Sequence, residues 1–495
     1  MHNLTTGPPT RLILAFTVPL LIGNLFQQLY TFTDAAVVGR LLGLDALAAV
    51  GASGGLLFLL VGFSWGASAG LAIPVSRAFG AGDLDGVRRY TAAGAYASAG
   101  IAAVITLVGV VFSRDLLMLL NTPPEILDDS TAFLVVSFAG AGVTVAFNFL
   151  SATIRALGDS RTPLYFLVAA SVLNAVLSFV LVGVVHWGVA GAAAATVLAQ
   201  LASVVACLVL IARRMPALHL RREDWAAGRH HLAEALRTGL PMGFQMSVIA
   251  VGALVLQFAV NGLGSLSVGA FTAAMRVDAI AVAPLNSFGI AMVTFVAQNR
   301  GARQWRRIRV ATFRTAMLAG AVAVVLGLLL VVFSQQIVGL VIGDPDPRVL
   351  DMARTYFLVN GGLYAALSTL FVLRAVVQGM GMSTVPTIAG ALELVARALA
   401  GLVLVRQLGF AGAAWAAPLA WFAALLPVGL AWARQRRVLM DLERGEDAQP
   451  AEQAVAELPV SAPPVLELAT QPVPEVASHA VPAAERLVPG VPVKV

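Results

Sequence analysis

Apolar runs long enough to span a lipid bilayer recur along the whole chain, separated by short stretches that hold arginine, glycine or proline. A membrane-spanning helix needs roughly 20 predominantly apolar residues. Charged residues make up only 12% of the 495 residues, whereas a soluble domain carries about 25%. The chain is therefore predicted to be an all-α integral membrane protein.

The apolar runs predict twelve transmembrane helices. Their predicted ranges are 11–36, 45–72, 90–113, 130–150, 162–184, 188–212, 234–260, 266–296, 310–333, 351–377, 385–407 and 410–434. The first run begins near Arg11 and lacks the small-residue cleavage site of a secretory signal peptide. We therefore interpret it as the first transmembrane helix.

Arginines are concentrated in the connections that follow every second helix and after the last helix. They are Arg77, Arg88, Arg89, Arg155, Arg161, Arg213, Arg214, Arg221, Arg222, Arg229, Arg237, Arg300, Arg303, Arg306, Arg307, Arg434, Arg436 and Arg437. The opposite connections hold few, such as Arg40 and Arg114. Because cytoplasmic loops are enriched in arginine and lysine, this bias predicts that both termini are cytoplasmic. It also accounts for the net charge of +6, so no nucleic-acid partner is expected.

The residues that carry metal, redox or enzymatic chemistry are scarce. The single cysteine, Cys207, permits neither an internal disulfide nor a cysteine metal cluster. His186 lies at a predicted helix end, and the other histidines lie in predicted loops or tails. A His/Asp or Ser/His constellation near the membrane interface is also missing from the sequence. We therefore expect no cofactor and no enzymatic activity.

The second half of the chain repeats features of the first half at a nearly constant distance. The segment GVAGAAAATVLAQ at 188–200 matches GFAGAAWAAPLAW at 409–421, and GDSRTP at 158–163 matches GMSTVP at 381–386. Pro19 corresponds to Pro241 in the same way. The offsets of 221–223 residues predict an internal repeat of six helices. Because six is even, both halves enter from the same side, which predicts a pseudo-two-fold axis normal to the membrane, as in many alternating-access transporters.

The repeat predicts an N-terminal six-helix bundle at 1–215, a cytoplasmic linker at 216–233 and a C-terminal six-helix bundle at 234–435. Residues 436–495 are rich in proline, alanine, valine and glutamate and show no sustained helical period. Such a segment cannot bury a core, so we predict a disordered cytoplasmic tail there.

The first predicted helix carries polar residues within an otherwise apolar span, LIGNLFQQLYTFTDAAVVGR at 21–40. On a helical wheel, six of them fall within an arc of about 160°, and these are Asn24, Gln27, Gln28, Tyr30, Thr31 and Asp34. A central aspartate costs about 2.5–3.5 kcal/mol on the insertion scale, so the stripe predicts a polar cavity. A stripe that only joins helices is the alternative, but that role needs no carboxyl. Asp34 is therefore the candidate group for exchanging a proton or a monovalent cation.

Candidate partners of Asp34 lie in the fifth and sixth predicted helices. Asn174 and Ser178 share one face because they are four residues apart, and Thr196 lies in the sixth helix. Each of them is also compatible with ordinary helix packing. Pro19 predicts a kink in the first helix and a hinge that bends when Asp34 changes protonation.

The second half offers fewer candidates. Glu393 and Arg397 are four residues apart, which predicts that they neutralise each other. Asp278 and Arg276 are two apart and do not face one another, so Asp278 needs another partner or a wet cavity. Gln245 is interpreted as a polar contact between helices. The candidate substrate cavity comprises Asn24, Gln27, Gln28, Gln245, Asp278, Glu393 and Arg397.

Five segments spread over both halves resemble the multidrug and toxin extrusion (MATE) transporters, most nearly their bacterial DinF-like branch. They are PLLIGNLFQQLYTFTDAAVVGRLLGLDALAAVGAS (19–53), NFLSATIRALGDSRTPLYFLVAASVLNAV (148–176), GVAGAAAATVLAQ (188–200), FVAQNRGA (295–302) and LRAVVQGMG (373–381). The resemblance covers about residues 10–435 and is specific for the family but not for a substrate.

The resemblance implies a MATE/MOP-type fold of twelve helices in two six-helix bundles around a central cavity. It implies exchange of an organic compound for H⁺ or Na⁺, with Asp34 as the coupling carboxyl. The polar neighbours and the kink residue that it implies are Tyr30, Gln27, Asn174, Thr196 and Pro19.

This sequence departs from the resembled pattern at Ser178. The family usually carries a second acid there, four positions after the helix-five asparagine, so the choice between H⁺ and Na⁺ stays open. The NorM-like branch uses acids in helices seven and ten instead. Helix seven here has none, and the interior of helix ten offers only Asn360.

These observations predict a secondary antiporter that exports amphipathic, often cationic compounds in exchange for H⁺ or Na⁺, with a candidate Na⁺ site at Asp34 and Asn174. The predicted partners are small organic compounds and membrane lipid, the predicted state is a monomer, and the predicted location is the bacterial inner or plasma membrane. A lipid-linked-sugar flippase of the same superfamily is one alternative. Such proteins tend to have a strongly cationic cavity, whereas Arg276 and Arg397 are the arginines expected within spans. A transport-inactive receptor or scaffold is the other alternative.

Overall fold

The computed structural model describes the backbone of residues 3–342 and 346–456 and the side chains of 3–340 and 346–444. Within this part the chain is helical and contains no strand, so the predicted all-α class is confirmed. Residues 457–495, most of the predicted tail, lie outside the described residues.

Seven α-helices form the first half of the chain. They are α1 (Pro9–Leu42), α2 (Leu44–Gly80), α3 (Leu84–Leu119), α4 (Pro124–Ala139), α5 (Ala141–Ala156), α6 (Arg161–Ser178) and α7 (Gly188–Arg214). A π-helical segment, Phe179–Val184, continues α6, and a short 3₁₀ turn, Pro216–Leu218, follows α7.

The second half follows with nine more helices in the described part. They are α8 (Arg222–Asn261), α9 (Ser265–Gly301), α10 (Trp305–Val332), α11 (Ser334–Ile342), α12 (Pro347–Gly362), α13 (Tyr364–Gly379), α14 (Thr384–Leu399), α15 (Val405–Leu408) and α16 (Phe410–Ala456). A π-helical segment, Ala400–Leu404, joins α14 to α15.

Ten helices of the described part are long and apolar enough to cross a membrane. The pairs α4–α5 and α12–α13 are bent by 48° and 46°, and counting each bent pair as one span brings the total to twelve. Twelve spans agree with the prediction, but two boundaries differ. Helix α8 begins at Arg222, inside the predicted linker, and α16 continues to Ala456, past the predicted start of the tail at 436.

The two halves share their irregularities at the predicted offset. The bent pairs break at Gly140 and Leu363, which are 363 − 140 = 223 residues apart. The π-helical segments begin at 179 and 400, an offset of 221. Gly43 and Gly264, also 221 apart, hold φ of 91° and 92° in the turns after α1 and α8. Glycine is favoured at both positions because this positive φ is strained for residues that carry a Cβ atom.

The halves meet closely where α2 packs against α8, within the compact unit Met1–Gly445. A Cβ added at Gly70 would overlap the carbonyl of Thr238, and one added at Gly243 would lie 2.8 Å from the Phe63 ring. Small residues let helix backbones approach in this way. This contact lies near Arg77, at the end of the spans that carries most arginines. We call that end the basic end.

Candidate functional site

Five polar residues of the first half form two hydrogen-bonded groups on shared helix faces, and we call the five together the N-half cluster. Ser178 Oγ donates to Asp34 Oδ1 at 3.3 Å. The Tyr30 hydroxyl and the Asn174 amide each donate to Thr196 Oγ1 at 3.0 Å. The structure thus brings all five predicted coupling residues together from α1, α6 and α7.

The spacing along each helix explains this convergence. Tyr30 and Asp34 are four residues apart on α1, and Asn174 and Ser178 are four apart on α6, so each pair projects from one helix face. Thr196 reaches the group from α7 and donates its own proton to the Ala192 carbonyl at 3.2 Å. Asn174 and Ser178 are buried, and Asp34 is half-buried.

The cluster leaves Asp34 with unused acceptor capacity. An ionised carboxylate offers about four lone-pair sites, and here it accepts one hydrogen bond, from Ser178. Asp34 makes no ion pair with any described residue, and the described part holds no group of three or more metal-ligating side chains. A carboxylate of this kind can take up a proton or, with nearby amide and hydroxyl oxygens, a monovalent cation.

The remaining polar residues of α1 lie apart from the N-half cluster. Asn24 donates to Ser287 Oγ on α9 at 3.0 Å and so links the two halves. Gln27 is exposed and Gln28 is half-buried, and Thr31 donates to the Gln27 carbonyl of its own helix. Pro19 is buried within α1, where its action as a hinge stays a prediction.

A cavity of about 380 Å³ lies in the second half, lined mainly by α8, α9, α13, α14 and α16. We call it the C-half cavity. Asp278, Glu393 and Arg397 line it, together with Arg374. The Tyr364 hydroxyl donates to Asp278 Oδ1 at 2.6 Å. Tyr364 is therefore the partner that Asp278 needs, since Arg276, two residues away on the same helix, does not face it. Of the seven residues predicted to share a substrate cavity, three therefore share this one.

The predicted pairing of Glu393 with Arg397 is wrong. Glu393 instead forms a 2.7 Å ion pair with Arg374 on α13, and both side chains are more than nine-tenths buried. The guanidinium of an arginine on a facing helix can approach the Glu393 carboxylate directly within the interior. Two side chains four residues apart on one helix must instead fold along the helix surface to meet. The Nε atom of Arg397 is buried without a hydrogen-bond partner in the described part of the chain.

A second cavity, of about 130 Å³, lies between the two halves. We call it the central cavity. Its lining comes from α2 and α5 of the first half and from α8, α9 and α13 of the second, and includes Arg155, Gln245, Arg374 and Gln378. Gln378 Nε2 donates to Gln245 Oε1 at 3.0 Å, so Gln245 makes the predicted polar contact between helices.

A protein-family model described as MatE matches residues 19–180 and 241–403, which is more than half of the chain. The chain belongs to the MatE family. The two matched segments begin 222 residues apart (19 and 241) and end 223 apart (180 and 403). This confirms the internal repeat. MatE proteins are transporters, so this chain is a multi-pass membrane transporter and not an enzyme.

Two curated relatives and a solved structure agree with the MatE assignment. The "Probable multidrug resistance protein YpnP" of Bacillus subtilis is 28% identical over 77% of this chain and 84% of its own length. The "Probable multidrug resistance protein NorM" of Bradyrhizobium diazoefficiens is 27% identical over 72% and 73%. An outward-facing multidrug resistance MATE family transporter of the MOP superfamily superposes with a TM-score of 0.80, covering 89% of this chain and 98% of that chain at 21% identity. At that identity the likeness concerns the fold.

Sequence reasoning missed several interacting residues of this MatE protein. At the basic end, Arg77 of α2 pairs with Glu234 of α8 at 2.7 Å, and Tyr90 of α3 donates to Glu234 at 2.6 Å. This network ties the two halves together beside the α2–α8 contact. Arg155, predicted to lie in a connection, is in the last turn of α5 and lines the central cavity.

Proposed function

We propose that this MatE transporter exports amphipathic organic compounds in exchange for H⁺ or Na⁺, with Asp34 as the coupling group. The observation that carries the proposal is the N-half cluster. It combines one carboxylate that has spare acceptor sites with a Tyr30–Thr196–Asn174 hydrogen-bond chain. An ionisable residue inside a transmembrane bundle generally marks an ion or proton pathway.

Exchange by alternating access requires two arrangements of the halves. In the arrangement described here, α2 and α8 are in close contact at the basic end, and the Arg77–Glu234 pair lies beside that contact. The arginine bias assigns the basic end and both termini to the cytoplasm of a bacterial inner or plasma membrane. On that assignment the transporter is closed toward the cytoplasm.

Coupling follows when the ion and the substrate favour different arrangements. Binding of H⁺ or Na⁺ at Asp34 stabilises one arrangement, and binding of the substrate stabilises the other, so each ligand promotes release of its counterpart. Pro19 and the π-helical segment Phe179–Val184 flank the cluster on α1 and after α6. Both features are sites at which helices bend, so motion of α1 and α6 is the proposed link.

The relatives support the substrate class. Those of Bacillus subtilis and Bradyrhizobium diazoefficiens carry names that include multidrug resistance, and organic amphiphiles fit the largely apolar linings of both cavities. We propose that the chain works as a monomer in the lipid bilayer without a cofactor. The coupling ion is H⁺ or Na⁺.

The test is efflux from liposomes that contain the purified full-length chain. A panel of cationic and acidic fluorescent amphiphiles is loaded, and a H⁺ or Na⁺ gradient is imposed. Gradient-driven efflux is expected for the wild type, and Asp34→Asn is expected to remove its dependence on the gradient. Asp45→Asn is the matched control, because Asp45 is exposed at the start of α2. Gradient-dependent efflux by Asp34→Asn at the wild-type rate would contradict the proposal.

A lipid-linked-sugar flippase is the second candidate function, and one observation favours it. Arg155 and Arg374 add two arginines that line cavities within the spans to the Arg276 and Arg397 expected from sequence. If no amphiphile of the panel moves under either gradient, while a lipid-linked sugar phosphate is translocated, the flippase replaces the antiporter.

A further inference from the structure

The central cavity has an excess of positive charge. Arg155 and Arg374 line it, and the described lining contains no aspartate or glutamate. Glu393 neutralises Arg374 at 2.7 Å, but Glu393 lies on the C-half cavity and not on this one. One positive charge, that of Arg155, is left without compensation.

The guanidinium of Arg155 has no acidic partner within the described part of the chain; the group that interacts with it there is the buried thiol of Cys207. The guanidinium takes part in no ion pair and no hydrogen bond there, although Arg155 is only partly exposed and lies in the last turn of α5. Charged side chains inside membrane bundles usually pair with one another or with backbone carbonyls. Arg155 therefore places a positive charge without an acidic partner on the wall of the central cavity.

Two more nitrogen donors of the lining are unsatisfied. Gln245 Nε2 and Arg374 Nε are buried and have no hydrogen-bond partner among the described residues, and both residues line the central cavity. Gln245 is 1% exposed and Arg374 is 6% exposed. Guanidinium and amide N–H groups are the donors that recognise carboxylate and phosphate oxygens. A ligand rich in acceptor oxygens would satisfy all three side chains.

The rest of the lining is apolar, with Trp65, Met242 and Phe371 among its members. A volume of about 130 Å³ fits a charged headgroup and not a whole drug-sized molecule, since such ligands occupy roughly 300–1,000 Å³. We infer that the central cavity binds the acidic group, a carboxylate or phosphate, of an amphipathic substrate, with Arg155 as its counter-charge. This inference rests on the proposed function and narrows its amphipathic substrates to acidic or zwitterionic ones, in place of the often cationic compounds that the sequence predicts.

The experiment compares two dyes that differ in one acidic group. Tetramethylrhodamine has a free carboxylate, and its methyl ester does not. Equilibrium binding of each dye to the detergent-purified full-length chain is followed by fluorescence anisotropy. The wild type is expected to bind the acid roughly tenfold more tightly than the ester. Arg155→Gln is expected to abolish this preference while leaving the affinity for the ester within about twofold.

Three further variants make the test decisive. Arg155→Lys keeps the charge and is expected to keep most of the preference for the acid. Arg161→Gln is the matched control, because Arg161 is exposed at the start of α6 and lies outside the lining. Gln245→Leu removes an unsatisfied donor without touching Arg155, so it tests the site if Arg155→Gln does not fold. Equal affinities for acid and ester in the wild type, or an unchanged preference in both Arg155→Gln and Gln245→Leu, would overturn the inference.

Competition with lipids distinguishes two sources of the acidic group. Displacement of the acid dye by phosphatidylglycerol but not by diacylglycerol, which has no acidic group, assigns the site to a lipid phosphate. Displacement by neither assigns it to a substrate that is not a lipid, and equal displacement by both contradicts recognition of an acidic group. The binding measurement needs no ion gradient. If the wild type shows no preference for the acid dye, the proposal of gradient-driven export therefore still stands. Failure of gradient-driven export likewise leaves the binding result intact.

Discussion

Ser178 donates its hydroxyl proton to Asp34 across 3.3 Å and so joins the end of α6 to the C-terminal third of α1. The resemblance to MATE transporters places a second acid at this position in most members. Here the partner is a neutral hydroxyl, so Asp34 holds the only carboxylate of the N-half cluster. A cation bound there would be neutralised by one charge and solvated by hydroxyl and amide oxygens.

Replacing Ser178 by aspartate is therefore expected to strengthen Na⁺ binding. A second carboxylate about 4 Å from the first attracts a cation strongly where water is scarce, so the Na⁺ concentration for half-maximal efflux should fall by at least about threefold. Na⁺-dependent efflux from liposomes measures the effect. Ser178→Asn is the uncharged control of similar size and should not lower that concentration. An equal fall in both variants, or none in Ser178→Asp, would contradict the role given to Asp34.

Thr196 is expected to matter more for folding than Tyr30. Its hydroxyl accepts from Tyr30 and Asn174 and donates to the Ala192 carbonyl. Thr196→Val would leave both donors without an acceptor, which should lower the free energy of unfolding by about 1–3 kcal/mol for each buried group. Tyr30→Phe removes one donor and should lower it by about 0.5–1.5 kcal/mol. Thermal unfolding in detergent should thus show the larger loss for Thr196→Val.

The control for this comparison is Thr33→Val. Thr33 is exposed on α1 and bonds only to the Leu29 carbonyl of its own helix, so its loss should change stability by less than about 0.5 kcal/mol. Equal losses for Tyr30→Phe and Thr196→Val would show that Thr196 does not join the two donors.

The N-half cluster was predictable because its geometry is local. Spacings of four residues on α1 and α6 fix which side chains share a face, and the constant repeat offset relates the two halves of the fold. Lateral packing was not predictable in the same way. The Arg374–Glu393 pair joins α13 to α14, and no spacing in the sequence selects it over the neighbouring Arg397.

Helix ends were a second source of error. The predicted span at 130–150 leaves Arg155 in a connection, yet α5 continues through Ala156 and carries Arg155 into the lining of the central cavity. The sequence predicts a linker at 216–233. Residues 222–233 instead begin α8, which packs there against α3, with an Arg88–Asp224 contact of 3.6 Å. Hydropathy detects the membrane part of a helix and not its extension beyond the bilayer.

Breaking the Arg374–Glu393 pair from one side is expected to be costly. Both groups are more than nine-tenths buried, so Glu393→Gln leaves a guanidinium without a counter-charge, at about 3–5 kcal/mol. Replacing both residues by methionine removes the two charges together and should cost much less. Unfolding in detergent would measure both variants. A double variant as unstable as Glu393→Gln would mean that the pair contributes through packing and not through charge.

The contact of α2 with α8 is expected to control which arrangement the transporter adopts. A Cβ at Gly70 would overlap the Thr238 carbonyl, so Gly70→Ala should oppose closure of the basic end. Overpacking of this kind costs roughly 1–3 kcal/mol, enough to shift the balance between arrangements about fivefold or more. Spin labels attached at Asp85→Cys and Arg303→Cys would report the change. Both positions are exposed, Asp85 at the start of α3 in the first half and Arg303 after α9 in the second half, so the distance between the labels measures the separation of the two halves.

Gly62→Ala is the matched control on the same helix, since a Cβ at Gly62 would meet no atom within 4 Å. The native Cys207 is buried and does not compete for the label. Gly70→Ala should lengthen the distance between the labels while Gly62→Ala leaves it unchanged. If both variants keep the wild-type distance, the α2–α8 contact does not limit opening at the basic end. The Arg77–Glu234 ion pair is too weak to hold the basic end closed by itself. Its side chains are 33% and 43% exposed, and exposed ion pairs contribute about 0–1 kcal/mol.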